Sequence, residues 1–433
     1  MSGILFLSAG NACRSQMAEG LARRLLPPSL RLFSAGTKPT GMDPRAVQVM
    51  AELGIDIAGQ RSNSLDDVPV GNIQRVVTLC ADSAEQCAVL PDLRREHWAI
   101  PDPALAEGSA DDVLKAFRTV RDALVSRMRA LAVRLRPEPA LGIIGGSGFY
   151  DLPGLTDAET VEFETPFGPP SAPLLVGRLH GKRVVFLARH GEGHRLLPGE
   201  VNAQANVYAL KRLGVTKLLS VSAVGSLREE IAPGHVVVPR QFLDRTVGRP
   251  ATFFGDGVVA HVSLADPVCG ELADTLVNHA RGIDTAVHAS GTYLCIEGPQ
   301  FSTRAESALW RSWGADVIGM TNLPEARLAR EAELCYATLA LPTDYDCWRT
   351  RNDEVRVADI LAVLRANVEK ARRILSAVIE QVDPAAPCAC QRVLDTALLT
   401  APSAISGRAL VRLHALLDRH LPNPDGPERK VAA

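Results

Sequence analysis

Two apolar runs in this chain end in glycine-bearing turns, ILFLSAGN at 4–11 and ALGIIGGSGFYDL at 140–152. A buried strand running into such a turn is how an α/β domain aims backbone amides at an anion. Two such starts imply two domains, and 433 residues exceed one ordinary hydrophobic core. Between the starts, DDVLKAFRTVRDALVSRMRALAVRL carries apolar residues at helical spacing and reads as one long amphipathic helix. RPEPA at 136–140 stops it with proline and charge. The boundary falls there, dividing the chain into 1–137 and 138–433.

Lysine and arginine number 47 against 49 aspartates and glutamates, a formal charge of −2 with no long run of one sign. That balance argues against nucleic acid or an anionic membrane as the main partner. No apolar run reaches bilayer length. Gly10, Asn11 and Arg14 interrupt the N-terminus where a secretory leader would need its apolar stretch, so a cytoplasmic protein is expected. Nine cysteines in a chain of this size are not a disulfide framework. Cys80 and Cys87 sit in CADSAEQC, and Cys388 and Cys390 form a CAC. Neither pair has the second matching pair or close histidines of a zinc site. Cys269, Cys295, Cys335 and Cys347 read as small core residues. No metal and no organic cofactor are expected.

The first segment alternates strands (3–8, 31–34, 75–79) with helices (14–26, 43–53, 111–135), the rhythm of a doubly wound parallel sheet. SAGNACRS, residues 8–15, is its anion loop. It runs from Ser8 through Asn11 and Cys13 to Arg14, which suits a two-oxygen clamp, and Ser15, a helix cap or a hydrogen-bond partner for position 8. In IPDPA, Asp102 is placed to act as a general acid, although on this segment alone an ordinary turn residue is the better reading.

With FSAGTKP, VVTLCADSAEQC and REHWAIPDPA, this segment resembles the low-molecular-weight tyrosine phosphatase fold over residues 3 to about 135, specifically the thioredoxin-coupled arsenate reductases. The resemblance implies that Arg14 is the oxyanion clamp, Asp102 the acid, and Cys80 with Cys87 the disulfide shuttle. Ser8 stands where that family has its nucleophilic cysteine. A thiol of pKa ~8.5 is readily drawn to the thiolate in such a loop. A serine hydroxyl is not, and it cannot form the disulfide that completes arsenate reduction. Reduction by the family route is therefore not expected. Oxyanion binding is, because the loop amides and Arg14 remain and a thiolate charge has gone. A purely structural domain, Cys13 as substitute nucleophile, and a redox response by Cys13, Cys80 and Cys87 are the other readings.

The second segment has β-rich stretches (LLVGRL, RVVFLAR, KLLSVSAVGS, HVVVPRQFL) and helices such as AQANVYALKRLG, an α/β pattern with a mixed sheet. Ser147 in GIIGGSGFY, Arg189 and His190 in LARHGEGHR, and Ser222 and Ala223 in SAVGS each offer a phosphate ligand. CIEGPQFSTRAES and GMTNLPEARLAREAELCYATLALPTDYDCW follow. With these motifs, residues 141 to about 380 resemble the 5'-methylthioadenosine phosphorylases of the trimeric purine nucleoside phosphorylase superfamily. PCACQRVLDTALLT resembles the C-terminal extension of microbial members.

The resemblance implies phosphate held by Ser147, Arg189, His190, Ser222, Ala223 and Thr321. Met320 would lie against the ribose, Phe301 on the purine and His261 beside the 5' group. Asp344 would protonate or hydrogen-bond N7, and Asp346 would accept from the exocyclic amine. The residue types fit: glycosidic cleavage builds positive charge on the ribose, and the leaving purine needs a proton. Two carboxylates at i and i+2 of an extended segment share one side. Opposite them a 6-oxopurine oxygen would be repelled, so 6-aminopurines are favoured. The expected reaction is phosphorolysis of methylthioadenosine to adenine and methylthioribose 1-phosphate by a homotrimer or multiple of trimers. Adenosine or methylthioinosine are alternative substrates. A second reading makes the whole chain arsenate-responsive, with arsenolysis in the second domain.

Overall fold

The computed structural model describes residues 3–80, 93–146, 153–283, 286–349 and 357–422. Two compact units emerge, one from residues 1–137 with 256–258 and the described C-terminal residues 400–422, the other from 138–255 and 259–399. The chain passes from one to the other after Pro137, within the proline-rich break. The C-terminal residues belong to the first unit, a difference from the simple 138–433 division. Their own apolar side chains explain this: Val411 joins the first unit's core, and Arg136 pairs with Asp418.

The first unit is a four-stranded parallel sheet with strand order β2-β1-β3-β4. Its strands are β1 (Gly3–Ser8), β2 (Arg31–Gly36), β3 (Ile73–Thr78) and β4 (Arg94–His97). Every residue of β1 is buried, as a central strand covered on both faces requires. Among the described residues α1 (Arg14–Leu25), α2 (Pro44–Ala51) and α3 (Ala110–Arg134) pack around it, and the short helices Gly407–Arg412 and His414–Leu417 belong to the same unit. Asp43 caps α2 ahead of Pro44, and Ser109 with Asp112 forms a capping box on α3, so sequence-local chemistry sets both starts. The buried face of α3 carries Phe117, Leu124, Met128 and Leu131.

The second unit holds an eleven-stranded mixed sheet among the described residues. Its strands are β5 (Ala140–Gly145), β6 (Thr156–Val161), β7 (Leu174–Leu179), β8 (Lys182–Ala188), β9 (Val215–Ser226), β10 (Val236–Val237), β11 (Gln241–Arg245), β12 (Val287–His288), β13 (Thr292–Ile296), β14 (Val317–Gly319) and β15 (Cys335–Asp344). Strands β8, β5, β9 and β15 lie side by side and parallel. Their carboxyl ends therefore open on one edge, where α/β sheets hold ligands. β14 runs antiparallel to the end of β9. The helices are α4 (Ala203–Arg212), α5 (Gly270–Arg281), α6 (Arg304–Ser312), α7 (Asn322–Glu331) and α8 (Val357–Gln381). α5 and α8 pack Leu272, Leu276, Ile374 and Val378 into one core with β9 and β15.

Candidate active site

In the first unit, Ser8 closes β1 and Arg14 opens α1, with the loop between them. The Ser8 hydroxyl lies 2.7 Å from that of Ser15, which accepts a 2.8 Å bond from Asn11 Nδ2. Among the described residues, no carboxylate or imidazole bonds Ser8. Asn11 is fully buried with φ of 45°, and its Oδ1 accepts from Asn63 and Gln16. The carbonyls of Ser8, Ala9, Gly10 and Ala12 accept from the amides of Thr37, Lys38, Thr40 and Asp43. The amides of Gly10 to Cys13 donate to no protein group among the described residues. Arg14 is buried, pairs with Asp102 at 2.5 Å, and donates to the carbonyls of Ile100 and Leu79. Asp102 also caps a short helical turn through the Ala104 amide. Cys13 is buried, and that burial, with the carboxylates of Asp43 and Asp102, pushes its thiol up to about 12. It is a neutral packing residue at physiological pH, which removes the basis for a substitute nucleophile. Cys80 is half-buried after β3; Cys87 lies outside the described residues.

In the second unit, register does the assembling. Ser222 and Ala223 of β9 pair with Ala340 and Leu341 of β15, and Gly225 pairs with Asp344. Ile318 of β14 also faces Gly225, so Thr321, three residues later, arrives at Ser222. Their hydroxyl oxygens are 3.0 Å apart, and the Tyr293 hydroxyl is 3.1 Å from Ser222. Burial pushes the Tyr293 phenol up to about 12, leaving it a neutral hydrogen-bonding group. Ala223 is exposed beside buried Ser222 and Tyr293 and half-buried Thr321. Gly319 is required there: a Cβ would collide with the Tyr293 hydroxyl.

Arg189 and His190 follow β8. Arg189 is an ion pair with Glu325, Nε to Oε2 at 2.8 Å, and also donates to the Val221 and Ile144 carbonyls and to Ser220. Burial opposes its charge, but Glu325 more than offsets this and holds its pKa above the ordinary arginine value. Its guanidinium is thus committed chiefly to the protein. His190 stacks on His194 at 4.4 Å, and its Nδ1 lies 3.0 Å from the Leu196 carbonyl. Burial lowers its pKa to about 4. Neutral, with Nδ1–H donated to that carbonyl, it offers Nε2 as an acceptor. Ser147 lies outside the described residues.

The aspartates close the edge. Asp344 Oδ1 accepts from the Asp346 amide at 2.8 Å, and Oδ2 from the Thr343 hydroxyl at 2.8 Å. Asp346 has φ of 50°, and the buried Ser307 hydroxyl donates to its Oδ2. Burial, reinforced by Asp344, raises the Asp346 pKa against the lowering effect of Ser307. Gly225 admits the pair, since a Cβ there would stand 3.2 Å from Asp344 Oδ1. The Met320 carbonyl accepts a 2.8 Å bond from Arg249, fixing the backbone beside Thr321. Phe301 is 81% exposed, and His261 is exposed with its amide on the Ala397 carbonyl. Among the described residues, no side-chain hydrogen bond joins His261 to this cluster.

The profile of the Phosphorylase superfamily matches residues 140–380. An S-methyl-5'-thioadenosine phosphorylase of Geobacter sulfurreducens is 52% identical over 285 residues, covering 66% of this chain and 100% of that protein. One from Gloeobacter violaceus is 54% identical over 289 residues, covering 66% and 97%. The chain belongs to the S-methyl-5'-thioadenosine phosphorylase family. Among solved structures, a methylthioadenosine phosphorylase from an antarctic soil metagenomic library is 48% identical with a TM-score of 0.63, covering 65% of this chain and 99% of that one. A Schistosoma mansoni methylthioadenosine phosphorylase in complex with adenine is 36% identical with a TM-score of 0.56, covering 61% and 100%. Residues 3–140 match the profile of the Low molecular weight phosphotyrosine protein phosphatase family. An N-terminal phosphatase-like domain thus precedes the phosphorylase domain.

Sequence reading missed several members of the phosphorylase-domain cluster. Glu325 lies in TNLPEA, 136 residues from Arg189, and no local signal marks it as the partner of that arginine. Ser307 sits in the capping segment of α6, and nothing in STRAES marks it as facing Asp346. Tyr293 and Arg249 carry no local signal. The cysteine reading needs correction. Cys269 and Cys335 read as small core residues and the Cys388–Cys390 pair as lacking the partners of a zinc site, yet the four sulfurs all lie within 4.8 Å of one another. The fold brings together segments that chain spacing keeps apart.

Proposed function

We propose that the phosphorylase domain cleaves 5'-methylthioadenosine with phosphate, giving adenine and 5-methylthioribose 1-phosphate. The observation carrying this is the register that places the Ser222–Thr321 hydroxyls and the Asp344–Asp346 pair at one sheet edge. Phosphate takes hydrogen bonds from Ser222, Thr321 and the Ala223 amide, with Ser147 completing the cradle. Neutral His190 accepts from a protonated phosphate oxygen through Nε2. Arg189 supplies positive potential behind the cradle while Glu325 holds its orientation. The anion then lies under the ribose as counter-charge and nucleophile. Its oxygen bonds C1' as the glycosidic electrons leave with the purine; N7 takes its proton from Asp344 in the acid form, and the proton that monohydrogen phosphate gives up on becoming the ester restores that acid. Asp346, as carboxylate, accepts from the 6-amino group, and Met320 packs against the ribose. Phe301 and His261 complete the base and 5' ends of the site. Steady-state kinetics on methylthioadenosine, adenosine and methylthioinosine tests the reading. Phosphate-dependent release of adenine, fastest with methylthioadenosine, is expected; equal or faster use of methylthioinosine refutes the assignment.

A second reading concerns the N-terminal loop. Its amides, without a protein acceptor among the described residues, and its buried Arg14 favour retention of oxyanion binding without reductase chemistry, since no carboxylate or imidazole among the described residues bonds Ser8 and Cys13 stays protonated. Calorimetric titration of arsenate and phosphate into the full chain and an Arg14→Ala variant tests this. Two classes of site are expected in the parent and one in the variant. Identical titrations overturn it.

A further inference from the structure

We infer that the phosphorylase domain contains a structural zinc site formed by Cys269, Cys335, Cys388 and Cys390. Three separate parts of the fold supply the ligands. Cys269 is the residue preceding α5, without a side-chain capping bond. Cys335 is the first residue of β15. Cys388 and Cys390 come from the CAC turn that follows α8. Cys269, Cys335 and Cys390 are buried and Cys388 is half-buried.

The geometry selects the ligand. Zinc–thiolate bonds of about 2.3 Å in a tetrahedron place the sulfurs about 3.8 Å apart. The Cys269 and Cys388 sulfurs are 3.8 Å apart, and all four lie within 4.8 Å of one another. A disulfide needs about 2.05 Å, and an iron–sulfur cluster holds its ligands around several metal atoms rather than one. The spacing suits one tetrahedral ion; four cysteines are a recurring structural zinc set, and a single iron, the other ion such a set can hold, is separated from zinc by metal analysis. With every position taken by protein, the site is closed and structural rather than catalytic.

Binding releases the thiol protons: Zn²⁺ plus four thiols gives a tetrathiolate of charge −2 and four protons. The surroundings suit that charge. Arg330 Nη1 lies 3.5 Å from Cys390 Sγ, where it donates to a ligand sulfur from outside the metal's own shell. The Leu394 amide donates to Glu333, just before β15, at 3.1 Å, holding the turn against the same part of the fold. Zinc would tie the end of α8 to the starts of α5 and β15, closing a segment that otherwise rests on a short helical turn.

The full-length protein, purified without chelator, is analysed for metal by mass spectrometry and for free thiols after denaturation under alkylation. About one zinc ion per chain is expected, with all nine cysteines alkylated once the metal is removed. Cys390→Ser and Cys388→Ser should lose the zinc, whereas Cys13→Ser should keep it. Should the serine variants fail to fold, the parent still decides. Stripped and reloaded with Co²⁺, it should show intense thiolate-to-cobalt charge transfer and tetrahedral ligand-field bands. A zinc-free parent that yields no such spectrum overturns the inference. So does a parent with disulfides among these cysteines, or iron in place of zinc.

Discussion

The Ser307–Asp346 hydrogen bond lets one substitution test the base-recognition half of the site. Asp346 must be ionised to accept from the 6-amino group, and burial first, then Asp344, raises its pKa above the ordinary 3.8. Activity should therefore be lost as pH falls through this raised pKa, giving an acid limb in kcat/KM at higher pH than an exposed aspartate would. Ser307 opposes the shift by donating to the carboxylate. A hydrogen bond to a charged group is worth about 1.5–3 kcal/mol. The site is partly open, so water replaces some of it and the lower end applies. At 1.36 kcal/mol per unit, Ser307→Ala should move the limb upward by about 1 pH unit. Ser307 is fully buried on α6, and alanine removes the hydroxyl with little change in packing, so the fold should persist. Initial rates of adenine release from methylthioadenosine at saturating phosphate, followed across pH, give the limb. Asp346→Asn should abolish the limb altogether. An unchanged or lowered limb in Ser307→Ala would show that Asp346 does not govern base recognition.

Other residues give independent checks. Arg189→Met strands Glu325 without its counter-charge in a site where both side chains are 3% exposed, and should cost about 3–5 kcal/mol in urea unfolding; adding Glu325→Leu should restore most of the stability but not the activity. Asp346→Asn presents a donor toward position 6, so the preference for methylthioadenosine over methylthioinosine should fall by at least about tenfold in kcat/KM. His190 titrates at about 4 when folded against an ordinary 6.5. The unfolded chain therefore binds its proton first, and stability should fall as pH drops from 6.5 toward 4. In His190→Gln that dependence should be shallower in unfolding midpoints over the same range, and an equal slope would exclude His190 as its source.

The parts legible in the sequence were those whose chemistry is local. The SAGNACRS loop between a buried strand and a helix, the proline break at 136–140 and the TDYD pair each occupy one continuous stretch. Each announces itself by residue type and spacing. The caps on α2, α3 and α6 have the same character, being set within a few residues by Asp43, Ser109 and Thr303. What escaped was produced by register. Tyr293 of β13 reaches Ser222, Glu325 of α7 reaches Arg189, and Ser307 reaches Asp346 from a different helix. Local periodicity carries no record of such pairings.

Cysteine gives the sharpest form of this limit. CAC alone looked incomplete as a zinc motif, because a conventional motif supplies its second pair at a recognisable spacing. Here Cys269 and Cys335 arrive singly, each at the start of an element otherwise committed to the core. Each also passes as a small buried hydrophobe, which is the commoner fate of a cysteine. The same ambiguity resolves the other way at Cys13. Its position beside Arg14 in an anion loop invited a reactive reading, yet burial and two nearby carboxylates keep it protonated. A cysteine's chemistry is therefore decided by the sulfurs, carboxylates and guanidinium groups that the tertiary fold places around it. Sequence spacing reports those neighbours only when they lie on the same short segment.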